Sequence, residues 1–335
     1  MRLHAYAPTR IDLAGGTLDI WPLYLYHPGA LTLNVAITRY AHCVLEARRD
    51  PRIVLIASDT GEREEFSSLA ALHACRRYRL PLLAHLVGYF APREGLRLTT
   101  WSEVPAGAGL GGSSALAVAL CAGLTRFCRA RIPAPEWIPL ARDIEARVLR
   151  VPTGEQDHYP AVYGGVSAIH LEPRRTWREP LPIPLSALEA RLLLVYTGQP
   201  RRSGVNNWEV LKNYLDGDRR LHHNFAAIAD TASAMRGALL RKNWHRFARL
   251  LEREWRTRRR NAPTISTPFI DRLIRTGRRR GASAAKVCGA GGGGGVVFFT
   301  SPEQRAELAA ALAAAGATLL PFRIARQGVR VKRLR

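Results

Sequence analysis

The segment at residues 105–115, PAGAGLGGSSA, combines residue types that are suited to binding a phosphate group. Its glycines let backbone N–H groups approach an anion, and its two serines fall at the start of an apolar-periodic helix. The unpaired N–H groups and the dipole of a helix N-terminus stabilise negative charge. A glycine-rich turn capped by serine is the alternative interpretation. The residues predicted to bind phosphates are Pro105, Gly107, Gly109, Leu110, Gly111, Gly112, Ser113 and Ser114.

The spacing of these glycines decides between known kinds of phosphate loop. No Gly-Lys-Ser/Thr follows, which excludes the P-loop of nucleotide triphosphatases. Gly107, Gly109 and Gly112 do spell the dinucleotide fingerprint GxGxxG, which calls for an acidic residue about 20 positions later at a strand end. The nearest acid, Glu136, instead begins a helix after two prolines. A dinucleotide-binding oxidoreductase therefore stays the second interpretation.

Four charged residues stand where a charged side chain needs a partner or a ligand. Arg10 interrupts an apolar strand, and Glu145 lies on the apolar face of a predicted helix, where an unpaired carboxylate is costly to bury. Asp157 begins a short helix that ends in Gly-Gly, and Asp19 follows a Gly-Gly turn. The alternatives are a surface arginine, a salt-bridged glutamate, a helix cap for Asp157 and an ordinary turn residue for Asp19.

Three further segments accompany the loop at 105–115. They are PTRIDLAGGTLDIWPLY at 8–24, GEQDHYPAVYGG at 154–165 and a second glycine run, KVCGAGGGGGVVFF, at 286–299. In this order the four segments resemble the motifs of the GHMP kinase superfamily, which includes galactokinase and mevalonate kinase. The segments at 8–24 and 154–165 most resemble sugar 1-kinases of the heptose 7-phosphate kinase and fucokinase type. Gly112 stands where the family commonly has Ser or Thr. The resemblance therefore implies that the serine facing magnesium is either Ser113 or Ser114.

The resemblance implies an enzyme that uses ATP and Mg²⁺ to phosphorylate the anomeric hydroxyl of D-glycero-D-manno-heptose 7-phosphate or a related hexose. It implies that Asp157 is the catalytic carboxylate with Arg10 as its partner, and that Glu145 binds magnesium with Ser113 or Ser114. The residues expected on the substrate side are Gly16, Thr17, Asp19, Gly291, Gly292 and Arg202. For Arg202, a solvated loop is an equal alternative. Within the family, an acceptor of the galactose, fucose or mevalonate type is the alternative.

The pattern of strands and helices that must position these residues predicts an α+β chain. Two domains are expected, at residues 1–180 and 181–335. The resemblance implies a first domain like ribosomal protein S5 domain 2 and a ferredoxin-like second domain, with the site between them. Strands are predicted at 31–38, 42–48, 52–58, 96–102 and 191–198, and helices at 68–91, 113–127, 136–150 and over much of 206–280. Ser301 is predicted to cap a last helix that starts at Pro302, followed by two strands.

The composition is that of a folded protein with an unusual charge. Hydrophobic residues make up 47% and charged residues 23% of 335, and the net charge is +23. Arginine supplies 46 of the 50 basic residues, scattered along most of the chain, so compositional bias explains the charge without a polyanion. Such a field also favours anionic substrates. A basic nucleic-acid-binding protein is the non-enzyme alternative, but no aromatic-interleaved groove is visible.

The remaining features concern location and assembly. No apolar run reaches the length of about 18 residues that marks a membrane span, and the first residues lack the apolar region of a signal peptide. A cytoplasmic protein is therefore expected. The five cysteines, an odd number at scattered positions, indicate neither a disulfide framework nor a zinc site. The sequence leaves open whether the chain forms a homodimer.

Overall fold

The computed structural model describes residues 1–200 and 203–335, and only the backbone of residues 203–206. Within these residues the strands form one sheet of eight and one of four. The strands are β1 (Arg2–Ala14), β2 (Leu31–Arg48), β3 (Ile53–Ala57), β4 (Glu62–Phe66), β5 (Gly95–Ser102), β6 (Val166–Leu171), β7 (Thr176–Pro180), β8 (Leu192–Tyr196), β9 (Ala282–Val287), β10 (Gly295–Thr300), β11 (Thr318–Leu319) and β12 (Arg330–Arg333). The helices are α1 (Leu69–Ala74), α2 (Pro81–Phe90), α3 (Gly112–Phe127), α4 (Trp137–Leu149), α5 (His158–Tyr163), α6 (Leu185–Glu189), α7 (Ser203–Leu215), α8 (Arg219–Leu240), α9 (Trp244–Arg258), α10 (Pro268–Arg279) and α11 (Arg305–Ala314).

The first sheet has the strand order β12-β1-β2-β5-β3-β4, with β6 and β7 added beside β2. Its neighbouring strands run antiparallel except for β3 and β5, which are parallel. The two strands predicted at 31–38 and 42–48 are one continuous strand, β2. The prediction failed because β1 pairs along nearly the whole of β2, while β6 supports its first half and β5 its second.

Helix α3 is the buried helix that carries the phosphate-loop serines. Its residues are apolar nearly all round, and it packs on β1 and β2 with α2, α4 and α5 beside it. A Cβ atom at Gly123 would lie 2.7 Å from Leu45 Cδ1, so this glycine lets the helix approach the sheet. Gly111, in the left-handed conformation, precedes the first turn. The close packing fixes where the N-terminus of α3 lies.

The second sheet is antiparallel with the order β11-β8-β10-β9. Numbered along the chain, these strands stand in the order 4-1-3-2, with helices after the first and third strands, which is the ferredoxin-like arrangement. Apolar side chains of α8 and α9, such as Met235 and Phe247, fill the core between this sheet and β1 and β2. The predicted α+β class and ferredoxin-like second domain are thus confirmed.

Two predicted helix boundaries were wrong. The stretch at 68–91 is two helices, α1 and α2, separated by a turn. Helix α11 begins at Arg305 and not at Pro302. Ser301 Oγ accepts a 3.4 Å hydrogen bond from Gln304 N, which closes a separate turn before the helix. The last strand, β12, pairs with β1 of the first sheet. The division into domains at 1–180 and 181–335 stays a prediction. No helix among the described residues has the length and apolar character of a membrane span.

Candidate active site

A cavity of about 390 Å³ opens where the end of β1, the start of α3 and the end of α9 meet. Its wall also includes the first glycine loop, residues 105–112, and part of the second glycine loop, residues 289–295. Most of the residues predicted from the sequence are brought together here. Those that line the cavity are Arg10, Gly16, Thr17, Asp19, Pro105, Gly107, Gly109, Leu110, Gly111, Gly112, Ser113, Ser114, Glu145 and Asp157.

Arg10 and Asp157 form a bidentate ion pair in the wall of this cavity. Arg10 Nε donates to Asp157 Oδ1 at 2.8 Å and Nη2 to Oδ2 at 2.6 Å, while Nη1 donates to the Gly109 carbonyl at 2.6 Å. Asp157 occupies the N-cap position of α5, but its side chain makes no capping bond there. Burial opposes the charge of Arg10, yet Asp157 and Asp12 raise its pKa above the usual range. The pair therefore holds one carboxylate in a fixed orientation beside the first glycine loop.

The first glycine loop offers backbone donors that the protein leaves unused. Gly107, Gly109 and Gly111 have φ angles of 70–74°, which favour glycine. Among the described residues, none of the three N–H groups donates to a protein acceptor. Arg10 N donates to the Leu110 carbonyl at 2.8 Å and ties the loop to β1. Free N–H groups at the start of a helix are what an anion-binding site requires.

Ser113, Ser114 and Glu145 lie together at the N-terminus of α3. Ser114 Oγ donates to Glu145 Oε2 at 2.8 Å, and His158 Nε2 lies 2.8 Å from the same oxygen. Burial would raise the pKa of Glu145, but His158 and the two serines lower it overall, so the carboxylate is ionised. Ser113 is exposed to the cavity and Ser114 is buried. No cluster of three or more His, Cys, Asp or Glu suited to a metal occurs in the described part of the chain.

Asp19 lies in the cavity wall with one oxygen atom free. Its Oδ2 accepts a 3.0 Å hydrogen bond from Gln156 N, whereas Oδ1 is buried and has no partner among the described residues. Burial raises the pKa of Asp19 to about 7. A Cβ at Gly154 would come within 1.9 Å of Asp19 Oδ2, so only glycine admits the aspartate at this position. A buried oxygen without a partner among the described residues, on a side chain that lines a cavity, is a candidate acceptor for a ligand hydroxyl.

Asp12 and Lys286 form a second ion pair, which the sequence analysis missed. Both are fully buried, and Lys286 Nζ donates to Asp12 Oδ2 at 2.5 Å, joining β1 to β9. Asp12 Oδ1 accepts from Gly289 N at 2.7 Å and lies 3.7 Å from Arg10 Nη1. Burial would raise the pKa of Asp12, but Lys286 and Arg10 hold it well below its usual range. The available signals were a lysine inside an apolar strand and an acid two residues after Arg10, on the same strand face.

Arg258, at the end of α9, also lines the cavity and was missed. It donates to Glu254 Oε1 at 2.5 Å, to the Gly16 carbonyl at 3.0 Å and to Thr17 Oγ1 at 3.3 Å. Sequence alone does not single it out among so many arginines. These contacts hold the turn that follows β1 at Gly15-Gly16. In this turn Thr17 has a φ of 72°, which is uncommon for a residue other than glycine.

Three residues predicted on the substrate side need separate mention. Gly291 and Gly292 do not line the cavity: a Cβ at Gly291 would lie 2.5 Å from the Ile265 carbonyl, and Gly292 N donates to that carbonyl at 2.8 Å. From the second glycine loop, Gly289 and Ala290 line the cavity, and substrate binding by Gly291 and Gly292 stays a prediction. Arg202 lies outside the described residues.

Comparison with family models places the chain among known kinases. The model of the GHMP kinases N terminal domain matches residues 70–165, and that of the GHMP kinases C terminal domain matches residues 235–318. The D-glycero-alpha-D-manno-heptose 7-phosphate kinase of Campylobacter jejuni is 30% identical over 86% of this chain and 86% of its own. The oxidoreductase interpretation of the glycines is therefore wrong.

Two further similarities extend this result. The bifunctional fucokinase/GDP-fucose pyrophosphorylase of Arabidopsis thaliana is 29% identical over 80% of this chain, which corresponds to 27% of that longer protein. The solved structure of a D-glycero-D-manno-heptose 1-phosphate kinase from Bacteroides thetaiotaomicron superposes with a TM-score of 0.80, covering 99% of both chains at 24% identity. That structure supports the fold assigned above.

Proposed function

The chain belongs to the GHMP kinase family and is an ATP-dependent sugar kinase, and from this premise we propose that it phosphorylates the anomeric hydroxyl of a heptose phosphate or a related hexose. D-glycero-D-manno-heptose 7-phosphate is the first substrate to test, because the relative from Campylobacter jejuni carries that name. The observation that carries the proposal is the bidentate pair of Arg10 and Asp157 beside a loop with free N–H groups.

In this proposal the first glycine loop holds the phosphates of ATP. The free N–H groups of Gly107, Gly109 and Gly111, with the start of α3, bind the phosphate oxygens. Catalysis of phosphoryl transfer depends mainly on positioning and on stabilising negative charge, and fixed backbone donors do both. Pro105, Leu110 and Gly112 complete the loop.

The family uses magnesium with ATP, and the residues at the start of α3 fit that ion. Serine hydroxyls and an ionised carboxylate are the oxygen ligands that Mg²⁺ prefers, and Glu145 is kept ionised next to both serines. Ser113, Ser114 and Glu145 would hold the ion, with the nucleotide phosphates supplying further ligands. When bound, Mg²⁺ neutralises charge on the phosphates.

Asp157 acts on the sugar hydroxyl in this proposal. Arg10 occupies both carboxylate oxygens from one side, so the remaining lone pairs of Asp157 can accept a hydrogen bond from the attacking hydroxyl. The carboxylate orients that oxygen and takes its proton as the oxygen bonds to the γ-phosphorus of ATP and the bond from that phosphorus to ADP breaks. Arg10 adds positive charge close to the transferring group. Asp19 Oδ1, with Gly16 and Thr17, is assigned to other hydroxyls of the sugar.

The test compares Asp157→Asn with a matched control, Asp143→Asn, which changes an exposed carboxylate on α4. Asparagine keeps the shape of aspartate but can take no proton, and loss of a general base lowers rates by about 10²–10⁴. We expect a fall of that size in kcat for Asp157→Asn, Mg·ATP affinity within about threefold of the parent, and unchanged kinetics for Asp143→Asn. Parent-like turnover by folded Asp157→Asn protein would remove Asp157 from the mechanism.

The acceptor is tested separately, so that a wrong sugar does not count against the mechanism. ADP release is measured with heptose 7-phosphate, fucose, mannose, galactose and mevalonate, and the phosphorylated position of each product is determined. The highest kcat/KM is expected with heptose 7-phosphate, and the product should carry its new phosphate at the anomeric oxygen. Preference for mevalonate, or phosphorylation at another position, would contradict the proposed acceptor.

A further inference from the structure

A second cavity, the arginine groove, lies behind the active site and has no part in the reaction described above. Its volume is about 630 Å³, and it opens between the start of α4 and the hairpin formed by β6 and β7. The segment at 154–157 is the wall between the two cavities: Gly154 and Gln156 line the active site, whereas Glu155 lines the groove. Among the described residues, none lines both cavities.

The groove is strongly basic. Four arginines line it, and Glu155 is its one carboxylate among the described lining residues. That carboxylate is already engaged, because Arg142 Nη1 donates to Glu155 Oε2 at 3.1 Å and the Thr176 hydroxyl donates to the other oxygen. The charges of Arg174 and Arg178 have no carboxylate partner within the described part of the chain.

Arg178 is the centre of this site. Its Nε donates to Ser167 Oγ at 2.7 Å and its Nη2 to the Gly164 carbonyl at 3.3 Å, while its guanidinium lies 4.9 Å from the centre of the Tyr163 ring. Neutral acceptors and an aromatic face fix the orientation of a cation without cancelling its charge. All three of these partners are neutral, so the half-buried charge of Arg178 has no counter-charge among them, and burial lowers the pKa of Arg178. An anion in the groove would supply that counter-charge.

The other walls of the groove determine what kind of anion fits. Tyr24, Tyr159 and Trp177 present aromatic surface next to the arginines. Guanidinium groups bind phosphate and carboxylate through paired hydrogen bonds. Two guanidinium groups that have no carboxylate partner among the described residues suit the three oxygens and double charge of a phosphate monoester. Aromatic walls suit a ring attached to that phosphate.

We propose that the arginine groove is a binding site for a small phosphate ester that carries a ring, separate from the ATP and sugar sites. Arg174 and Arg178 bind the phosphate, and the aromatic residues contact the ring. The proposal does not depend on which sugar the enzyme phosphorylates, because none of these residues lines the active site.

Isothermal titration calorimetry measures the binding of phenyl phosphate to protein that is saturated with Mg²⁺ and a non-hydrolysable ATP analogue. Inorganic phosphate and phenol are titrated separately, to resolve the contributions of the two halves of the probe. Arg174→Ala, Arg178→Ala and the double variant are compared with Arg76→Ala/Arg77→Ala, which removes two exposed arginines outside the groove.

We expect one binding event for phenyl phosphate, tighter than for phosphate or phenol. Each groove variant should weaken it by about 10- to 100-fold, as loss of a charge-assisted hydrogen bond does. The control should stay within about twofold of the parent. Arg174 is exposed, so Arg174→Ala keeps the test valid even if Arg178→Ala disturbs packing. Absence of binding, or binding that the groove variants leave unchanged and that therefore lies in the sugar site, would overturn the proposal.

Discussion

The two glycine loops look alike in sequence, but they use their backbone donors differently. In the first loop, residues 105–112, the N–H groups of Gly107, Gly109 and Gly111 donate to no acceptor in the described protein. In the second loop, residues 289–295, Gly292 donates to the Ile265 carbonyl, Gly294 to the Gln199 carbonyl and Gly295 to the Ala108 carbonyl. The three N–H groups of the first loop are therefore available to a ligand, whereas the three named in the second loop are bonded to the protein.

This difference shows that a run of glycines has at least two physical uses. In the first loop, glycine permits positive φ angles in a segment that lines the cavity and whose N–H groups have no acceptor among the described residues. In the second loop, it permits close packing, since a Cβ at Gly294 would lie 2.5 Å from the Ala108 carbonyl oxygen. Because Gly295 also bonds to Ala108, the second loop supports the first from behind. The contrast leads to separate expectations for the two loops.

The largest expected effect comes from the ion pair that anchors the second loop. Lys286→Met removes the cation facing Asp12, whose other oxygen accepts the Gly289 N–H. Removing one partner of a buried pair costs about 3–5 kcal/mol, because the remaining charge is left buried. We expect a loss of that size in the free energy of unfolding by urea, with partial recovery in Asp12→Asn/Lys286→Met. Lys242→Met, at an exposed position, is the control. A stability like that of the parent would mean that the second loop needs no anchor.

A smaller loss of stability is expected from Gly294→Ala. Both Gly294 and Gly29 have positive φ angles, of 81° and 77°, but an added Cβ would meet other atoms within 4 Å only at Gly294, as Gly29 faces open space. Comparing the two alanine variants thus separates backbone strain from the clash with Ala108. We expect Gly294→Ala to be less stable than Gly29→Ala by about 1–3 kcal/mol, as for other overpacked sites, and to raise the KM for ATP. Equal stability of the two variants would contradict the supporting role of the second loop.

The smallest effect on stability is expected from substitutions in the first loop, which should change the KM for Mg·ATP instead. Ser113→Ala/Ser114→Ala removes two hydroxyls but leaves the glycine backbone in place. We expect the fold to be retained and the KM for Mg·ATP to rise about tenfold, which corresponds to about 1.4 kcal/mol. Ser283→Ala, on the exposed side of β9, should leave the KM unchanged. If the double variant turns over ATP with the parent's constants, the first loop has been misassigned.

The parts of the site that are local in sequence could be predicted, and those that depend on distant partners could not. A strand, a glycine cluster and two serines before an apolar helix indicated the first loop, and the structure has that local arrangement at 105–114. The packing of Gly291 and Gly292 was missed because their contact, Ile265, comes from a different part of the chain. Lys286 and Arg258 were missed for the same reason. Their partners lie on β1 and in the turn after it, more than 240 residues earlier.

The same distinction holds for the fold. Short apolar segments predicted strands at 52–58 and 96–102, close to β3 and β5. The continuity of β2 was not visible, because it results from pairing with three different strands. A strand at the end of the chain was predicted, but its pairing with β1 was missed, since that partner lies more than 300 residues earlier.

The position of β12 also bears on the order in which the molecule is made. Residues 330–333 are synthesised after all the other strands and helices described above, yet they supply a neighbour for β1, and Val329 N donates to the Ala161 carbonyl of α5 just before them. Until then the nascent chain carries an open edge on β1, of the kind that pairs with other chains. Helix α5, which follows Asp157 directly, gains this support only when β12 emerges. The surroundings of Asp157 are thus completed only after residues 330–333 have been made, although β1 and the first glycine loop precede them by more than 200 residues.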